Sequence, residues 1–316
     1  MEKIIDYRPA RCTGTMPEEF KDYHVCQPKI DGARYTLNIG FDPTGRKSGT
    51  TLLSRQLSTH DGLPVDKTEN IPHITANKKL APFAGTVIDL EIFKNNFGDT
   101  ISIMGSLPPV AINKQNIEGN IHAFAFDVMA YKGKDVRGMA LSDRLKILNA
   151  IVEAINIPEL ETVPTWPASV ADIKFKEIVG DGGEGLIIKD LRMGYGCNWS
   201  KWKKRATVSA IISGFDQGQG KYSKTLGALK LSVYHEGKLI EIATASGMSD
   251  KERAEIWKNQ AKLLGKVVDI HAMEISRDNR LRHPAFDRFR PDVSAKDCTL
   301  LKVRTDLKKS FKRKME

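Results

Sequence analysis

The chain has 316 residues, 41% of them hydrophobic, and a formal net charge of +10. This length allows one large domain or two ordinary ones, and the excess of lysine and arginine favours a polyanionic partner such as nucleic acid. No apolar run approaches the length of a membrane span, and the first residues lack the form of a signal peptide. The four cysteines are scattered without a Cys-x-x-Cys pair, which argues against a zinc site or a disulfide framework. We therefore expect a cytoplasmic protein with no membrane association.

The first part of the chain predicts a mixture of strands and helices. Short β-rich runs occur at residues 33–39, 86–93, 121–131 and 185–189. Leucine, valine and isoleucine recur at helical spacing over 141–155, and a second helix is predicted over 169–179, ending at Gly180.

After residue 205 extended runs dominate, which indicates a second domain. They cover 208–215, 228–235, 239–245, 266–276 and 300–303. One helix interrupts them, opening with the capping box of Ser249 and Glu252 and closing at Gly265. Five short strands with one inserted helix predict a small barrel of the oligonucleotide-binding type. We expect domains at 1–205 and 206–316.

The turn after the first predicted strand carries Lys29-Ile30-Asp31-Gly32-Ala33-Arg34. An amine, a carboxylate and a guanidinium meet at one bend. A lysine amine becomes a useful nucleophile when its surroundings lower its pKa, and a nearby cation does this. Taken alone, the segment also fits a solvated hairpin turn.

Charged side chains also mark the ends and faces of later strands. Arg55 in Ser54-Arg55 follows an extended run and is placed to hold a phosphate. Asp89 and Glu91 alternate on one face of an apolar strand, where two carboxylates are costly unless a cation, a metal or a hydroxyl meets them. Phe124 and Phe126 precede Asp127 at another strand, where an aromatic ring most often packs in the core but also offers the flat apolar face that a nucleobase needs.

Two further motifs end the first predicted domain. Glu184 lies within Gly182-Gly183-Glu184-Gly185, where glycines permit a close backbone approach, and we expect a metal-directed carboxylate there. Lys201 and Lys203 share one face of a strand, with Trp202 on the other. Two adjacent lysines repel unless an anion such as a phosphate lies between them.

The second predicted domain has its own basic motifs. Lys221 lies in Gly218-Gln219-Gly220-Lys221, and Arg288 and Arg290 lie in Arg288-Phe289-Arg290-Pro291-Asp292.

Together these segments resemble, in order and across nearly the whole chain, the motifs of ATP-dependent DNA ligases, a family of covalent nucleotidyltransferases. The resemblance implies an α+β fold, with a nucleotidyltransferase (ATP-grasp-like adenylation) domain followed by a C-terminal OB-fold β-barrel. It implies that Lys29 attacks ATP and carries AMP, with Mg²⁺ as the metal. Leu90 replaces the usual glycine of the Asp-Gly-Glu motif, and Val293 stands where the last motif usually has lysine.

The resemblance also implies roles for individual residues. It assigns metal binding to Glu91 and Glu184, and DNA binding to Arg55, Lys221 and Arg288. The residues implied to bind ATP or AMP are Gln27, Lys29, Arg34, Arg55, Glu91, Phe126, Lys201, Lys203 and Arg290.

The expected substrate is nicked duplex DNA, sealed by a monomer in the cytoplasm of a bacterium or a phage-infected host. We also expect a compact enzyme without the extra N-terminal DNA-binding domain of large eukaryotic ligases. An RNA ligase or an mRNA-capping guanylyltransferase would use the same lysine chemistry, and a non-catalytic nucleic-acid-binding protein remains a different-class alternative. NAD-dependent ligases carry a nicotinamide module and zinc cysteines, for which this sequence offers no candidate.

Overall fold

A computed structural model describes residues 7–204, 206–276 and 278–312, with side chains described as far as 307. The chain divides into two compact units, Met1–Lys203 and Lys204–Glu316. The boundary expected between residues 205 and 206 adjoins Arg205, which lies outside the described residues. Among the described residues, no helix is both long and apolar enough to cross a membrane.

The first unit contains eleven strands among its described residues. They are β1 His24–Pro28, β2 Ala33–Asn38, β3 Thr51–Leu57, β4 Pro64–Asp66, β5 Val87–Phe93, β6 His122–Tyr131, β7 Lys134–Asp135, β8 Leu160–Thr162, β9 Trp166–Pro167, β10 Gly185–Asp190 and β11 Ser200–Lys203. The α-helices described there are α1 Pro72–Thr75, α2 Phe97–Met104, α3 Pro108–Glu118, α4 Leu141–Ile155 and α5 Ala171–Gly180. Short 3-10 turns lie at Thr68–Asn70, Lys78–Phe83 and Ala168–Val170.

Two sheets form the framework of this unit. The larger has the strand order β4-β3-β2-β5-β6-β7, with β8 pairing in parallel with β6. The smaller has the order β11-β10-β1-β9. Helix α4 packs its apolar stripe on the larger sheet, where Leu148, Ile151 and Ile155 join the main core. This stripe confirms the helix predicted over 141–155, whereas α2 and α3 were not predicted.

The part of the second unit that the structure describes has five strands, β12 Ala206–Gln217, β13 Leu226–His235, β14 Lys238–Ala245, β15 Val267–Ala272 and β16 Ala285–Phe289. Its helices are α6 Asp250–Lys258, α7 Gln260–Leu263 and α8 Leu300–Lys312, with 3-10 turns at Gly220–Tyr222 and Ala295–Asp297. The sheet order is β14-β13-β12-β15-β16. A bridge between Ser246 and Ala285 joins the end of β14 to the start of β16, so the sheet closes on itself as predicted.

The start of the predicted inserted helix is confirmed, because Ser249 and Glu252 form a reciprocal capping box ahead of α6. The segment before Gly265 is not one helix, however, since α6 ends at Lys258 and the short α7 follows after Asn259. The prediction of a strand over 300–303 was wrong, since this segment begins helix α8. Its apolar residues Leu300, Val303 and Leu307 recur at helical spacing and pack into the barrel core. The fifth strand is instead β16, which carries Arg288.

Candidate active site

A cleft of about 230 Å³ opens between the two sheets of the first unit. The larger sheet lines it with Arg34, Arg55, Glu91 and Phe126. The smaller sheet and its connections line it with Gln27, Lys29, Ile187, Lys189, Trp199, Lys201 and Lys203. The structure thus brings together the residues implied to bind the nucleotide in the first unit, although they span most of its length.

Lys29 follows β1 directly, and its backbone N–H donates to the carbonyl of Gly185 at 2.9 Å. Two glycines make this approach possible. A Cβ on Gly185 would lie 2.0 Å from the carbonyl oxygen of Trp202, and the φ of Gly185 is +137°. A Cβ on Gly32 would lie 2.2 Å from the carbonyl oxygen of Ile92. Both positions therefore require glycine to hold the turn against its neighbouring strands.

The carboxylate of Glu184 joins two lysines. It accepts a bond from the ammonium group of Lys29 through one oxygen, and from Lys203 Nζ at 2.9 Å through the other. The side chain of Glu184 is only 3% exposed. Burial raises its pKa, but Lys29 and Lys203 outweigh this effect and lower the pKa overall, so the carboxylate is charged at neutral pH. The charged carboxylate of Glu184 therefore holds Lys29 and Lys203 together at the cleft.

Glu91 lies on β5, opposite Arg34 of β2. Burial raises the pKa of Glu91 to about 8, although Lys29 and Arg34 oppose the shift. The side chain is therefore mostly protonated at neutral pH, and a cation placed beside it would favour the charged form. Among the described residues no group of three His, Cys, Asp or Glu side chains could hold a metal ion. A magnesium ion, however, commonly takes one or two carboxylates together with substrate phosphates, so Glu91 and Glu184 fit such an ion.

Arg34 lines the cleft, but most of its donors are engaged by the protein. Its guanidinium binds Asp89 at 2.9 and 2.6 Å, and it also donates to the carbonyl of Ala10 at 2.7 Å. Tyr195 donates to Asp89 at 2.5 Å. Arg34 also lies over the ring of Phe126, 5.1 Å from its centroid. The guanidinium therefore anchors the aromatic wall of the cleft in addition to any contact with a ligand.

Phe126 is half-buried at the cleft wall, with Trp199 edge-on at a centroid distance of 6.1 Å. Lys189 lies behind both rings and donates to the carbonyl of Phe126 at 3.2 Å. Asp127, the next residue, forms a fully buried ion pair with Arg144, at 2.8 Å. Sequence reasoning missed the parts played by Lys189, Trp199, Tyr195 and Arg144, although Lys189 closes the predicted Glu184 segment.

Lys201 and Lys203 of β11 both line the cleft, while Trp202 stacks on Phe175 in a separate apolar cluster, so the predicted alternation along this strand is confirmed. Gln27 is buried, and its amide donates to the hydroxyl of Thr165 at 2.9 Å. Arg55 lines both this cleft and a neighbouring groove that also contains Arg8 and Arg11. Gln27, Arg55, Lys201 and Lys203 thus line the cleft, and three of them bring positive charge to it.

Three of the site residues predicted from the sequence, Arg290, Arg288 and Lys221, belong to the second unit. Arg290 binds the carboxylate of Asp292 at 2.9 and 2.8 Å and that of Asp269 at 2.7 Å. Arg288 also binds Asp269, at 3.2 Å, and Asp269 is nearly fully buried. Lys221 is mostly exposed and lies over the ring of Tyr222. Two arginines are thus fixed to one buried carboxylate.

Comparisons with known proteins agree with this architecture. The family model "ATP dependent DNA ligase domain" matches residues 10–205, and "DNA ligase OB-like domain" matches 217–290. A DNA ligase of Methanosphaera stadtmanae is 26% identical over 88% of this chain and 54% of its own length. A DNA ligase of Methanothermobacter thermautotrophicus is 25% identical over 90% of this chain and 56% of its own length. The chain spans about half the length of these curated relatives.

Solved structures show the same fold. One described as "DNA binding with a minimal scaffold: Structure-function analysis of Lig E DNA ligases" matches with a TM-score of 0.63 and 21% identity, over 86% of this chain and 94% of that chain. Another, "Pmar-Lig_PreS3", matches with a TM-score of 0.63 and 22% identity, over 84% of this chain and 63% of that chain.

The fold and the cleft define a nucleotidyltransferase unit joined to an OB-like unit. Because the family model covers well over half of the sequence, the chain belongs to the ATP-dependent DNA ligase family.

Proposed function

We propose that this protein seals nicks between a 5′-phosphate and a 3′-hydroxyl in duplex DNA, using ATP and a lysyl-AMP intermediate on Lys29. The observation that carries the proposal is the contact of Lys29 with Glu184, which also pairs with Lys203 at the mouth of the cleft. An amine held by one carboxylate beside a second lysine, at the wall of a cleft of about 230 Å³, fits attack on an α-phosphate.

In the first step the Lys29 amine forms a bond to the α-phosphorus of ATP and loses a proton, and the bond to the departing pyrophosphate breaks. Lys201 and Lys203 offset the phosphate charge, while Phe126 stacks on adenine and Gln27 borders the base. Arg34 fixes the position of Phe126. Lys29 must leave Glu184 as its uncharged amine before it can attack.

In the second step an oxygen of the 5′-phosphate attacks the AMP phosphorus and releases Lys29. In the third, the 3′-hydroxyl attacks the 5′-phosphate and AMP departs. Glu91 and Glu184 would hold Mg²⁺, which would supply positive charge to the phosphates. Arg55 is proposed to contact the DNA backbone.

We assign the adenylation function to residues 1–205 and DNA binding to residues 206–316. In the second unit Arg290 is proposed to orient the departing pyrophosphate, and Arg288 and Lys221 to contact DNA phosphates. The carboxylates of Asp292 and Asp269 hold the guanidinium of Arg290 and so orient its remaining N–H donors. We propose further that the protein works as a monomer in the cytoplasm of a bacterium or a phage-infected host.

Substrate choice tests this proposal. The protein is offered ATP, GTP or NAD with Mg²⁺, and then nicked DNA or nicked RNA duplex. We expect that nicked DNA is sealed when the nucleotide is ATP and is not sealed when it is GTP or NAD. A protein that forms a covalent adduct with GTP but not with ATP would be a guanylyltransferase. Sealing of nicked RNA in preference to nicked DNA would support an RNA ligase. Absence of any nucleotide adduct would leave only nucleic-acid binding and would refute the enzymatic assignment.

A further inference from the structure

The loop between β12 and β13, residues 218–225, carries Lys221 and is here called the basic loop. Its own backbone gives it a defined shape. The N–H of Gly218 donates to the carbonyl of Thr225 at 2.9 Å, and the N–H of Thr225 donates to the carbonyl of Tyr222 at 2.9 Å. A Cβ on Gly218 would lie 2.4 Å from the carbonyl oxygen of Tyr222, so this close return of the chain requires glycine.

Arg253 of α6 joins the basic loop to the strand that follows it. Its Nη1 carries two N–H donors, which bind the carbonyls of Leu226 at 2.8 Å and Gly227 at 2.7 Å. These are the first two residues of β13, where the register of β12 and β13 skips Gly227 at a bulge. The guanidinium also lies over the ring of Tyr222, 4.7 Å from its centroid.

The ring of Tyr222 connects Arg253 to Lys221. The ammonium group of Lys221 lies 4.5 Å from the centroid of the same ring. The hydroxyl of Tyr222 donates to the carboxylate of Asp250 at 2.9 Å, and Asp250 is the first residue of α6. Two residues of α6 therefore hold the ring against which Lys221 lies.

Stability alone does not account for an arginine at position 253. The side chain is only 9% exposed, and its Nε is buried with no hydrogen-bond partner among the described residues. Its contacts within the described part of the chain are two carbonyls and a ring, with no carboxylate among them. A buried cation with an unmade hydrogen bond and no paired anion is unfavourable for folding. What the planar guanidinium supplies is a rigid link between the strand and the loop.

We infer that Arg253 is a positioning residue for DNA binding, which holds Tyr222, and through it Lys221, where the ammonium group meets a phosphate of the DNA backbone. This inference rests on the proposed function, because it needs Lys221 to contact DNA. The side chain of Lys221 is 72% exposed. A lysine that is free to move loses more conformational entropy when it binds a phosphate than one that is already held in place.

Binding of a nicked duplex, followed by fluorescence anisotropy, tests this inference. The DNA carries a 5′-phosphate and a 3′-dideoxy end, and EDTA is present, so that no bond forms. The slope of log affinity against log salt falls by about 0.9 for each phosphate contact that is lost. Lys221→Ala should show this loss, and Arg253→Met should show nearly the same loss although it keeps Lys221. Each variant should bind roughly three- to tenfold more weakly at about 0.1 M salt.

A double variant and a control make the test specific. Lys221→Ala together with Arg253→Met should bind no more weakly than Lys221→Ala, because both changes remove the same contact. Arg280→Met removes a positive charge from the same unit at an exposed arginine paired with Glu241. This control should leave the salt slope unchanged.

The outcomes separate this inference from the proposed function. If Lys221→Ala lowers the slope but Arg253→Met matches the wild-type slope and affinity, Arg253 only supports the fold and the inference is wrong. Additive losses in the double variant also overturn it. If circular dichroism shows that Arg253→Met is unfolded, Tyr222→Leu decides, because it removes the connecting ring, and an unchanged slope in that variant overturns the inference.

Two further results would reach the proposed function. An unchanged slope in Lys221→Ala would overturn the proposed role of Lys221, and this inference with it. Wild-type protein that binds no nicked DNA would overturn the proposed function itself.

Discussion

The ammonium group of Lys29 is paired with the buried carboxylate of Glu184. The two residues lie 155 positions apart and meet because β1 and β10 are antiparallel neighbours. The second oxygen of the carboxylate is taken by Lys203. One side chain thus sets the position of both the proposed nucleophile and a proposed phosphate-binding cation.

Glu184→Gln should slow formation of the AMP adduct at least tenfold, on the order of the loss expected when one preorganised charged contact is removed. A carboxamide cannot balance two ammonium groups, so Lys29 and Lys203 lose their shared anchor. The rate is measured with labelled ATP in single-turnover conditions. Glu177→Gln on the exposed face of α5 is the matched control and should adenylylate at the wild-type rate. Equal rates for both variants would show that Glu184 has no part in positioning.

Gly185→Ala should destabilise the first unit by about 1–3 kcal/mol or more, because its Cβ would overlap the carbonyl of Trp202. The backbone of β10 must move away from β11, and Lys29 loses its contact with the carbonyl of Gly185. Gly180→Ala, where no atom lies within 4 Å of the added Cβ, should be neutral or slightly stabilising. Thermal melting compares the two. A Gly185→Ala protein as stable as the Gly180→Ala protein contradicts the close approach described here.

Arg144→Met should cost about 3–5 kcal/mol, because it leaves the charge of Asp127 buried and unpaired. The double variant, which carries Asp127→Asn together with Arg144→Met, should recover much of the free energy of unfolding lost in the single variant. Urea unfolding of the two single variants and the double variant measures the coupling. Additive effects would mean that the pair is not an energetic unit.

Arg290→Ala should slow the reaction of the enzyme with ATP while sealing of a nick that already carries AMP stays near the wild-type rate. The reason is that the proposed role of Arg290 concerns the pyrophosphate, which is absent from the sealing step. Arg280→Ala, which removes an exposed arginine paired with Glu241 in the same unit, is the control and should leave both steps unchanged. Equal slowing of both steps by Arg290→Ala would count against the pyrophosphate role.

The resemblance carried by the order of the motifs led us to expect Lys29, Glu91, Phe126 and Lys203 at one nucleotide site, and these four residues line one cleft. Glu184 contacts two of them, Lys29 and Lys203. Each lies on or beside a strand whose apolar pattern could be recognised. The α4 helix and the capping box at Ser249 were predictable for the same reason, because local spacing specifies them.

Contacts between distant segments could not be predicted in this way. Tyr195 lies in a loop with no periodic pattern, yet it reaches Asp89, 106 positions away. Lys189 ends an apolar strand, and nothing in its spacing shows that its amine is buried behind Phe126. The four residues 300–303 fit a strand or a helix equally well, and only packing against the barrel decides between them.

The central claim, that Lys29 carries AMP, is tested most directly by locating the adduct. The protein is incubated with ATP and Mg²⁺, digested, and its peptides are analysed by mass spectrometry. We expect AMP on the peptide that contains Lys29, removable by acid as a phosphoramidate, and no adduct in Lys29→Ala protein. An adduct of normal yield in that variant, or one mapped to Lys189, Lys201 or Lys203, would contradict the account.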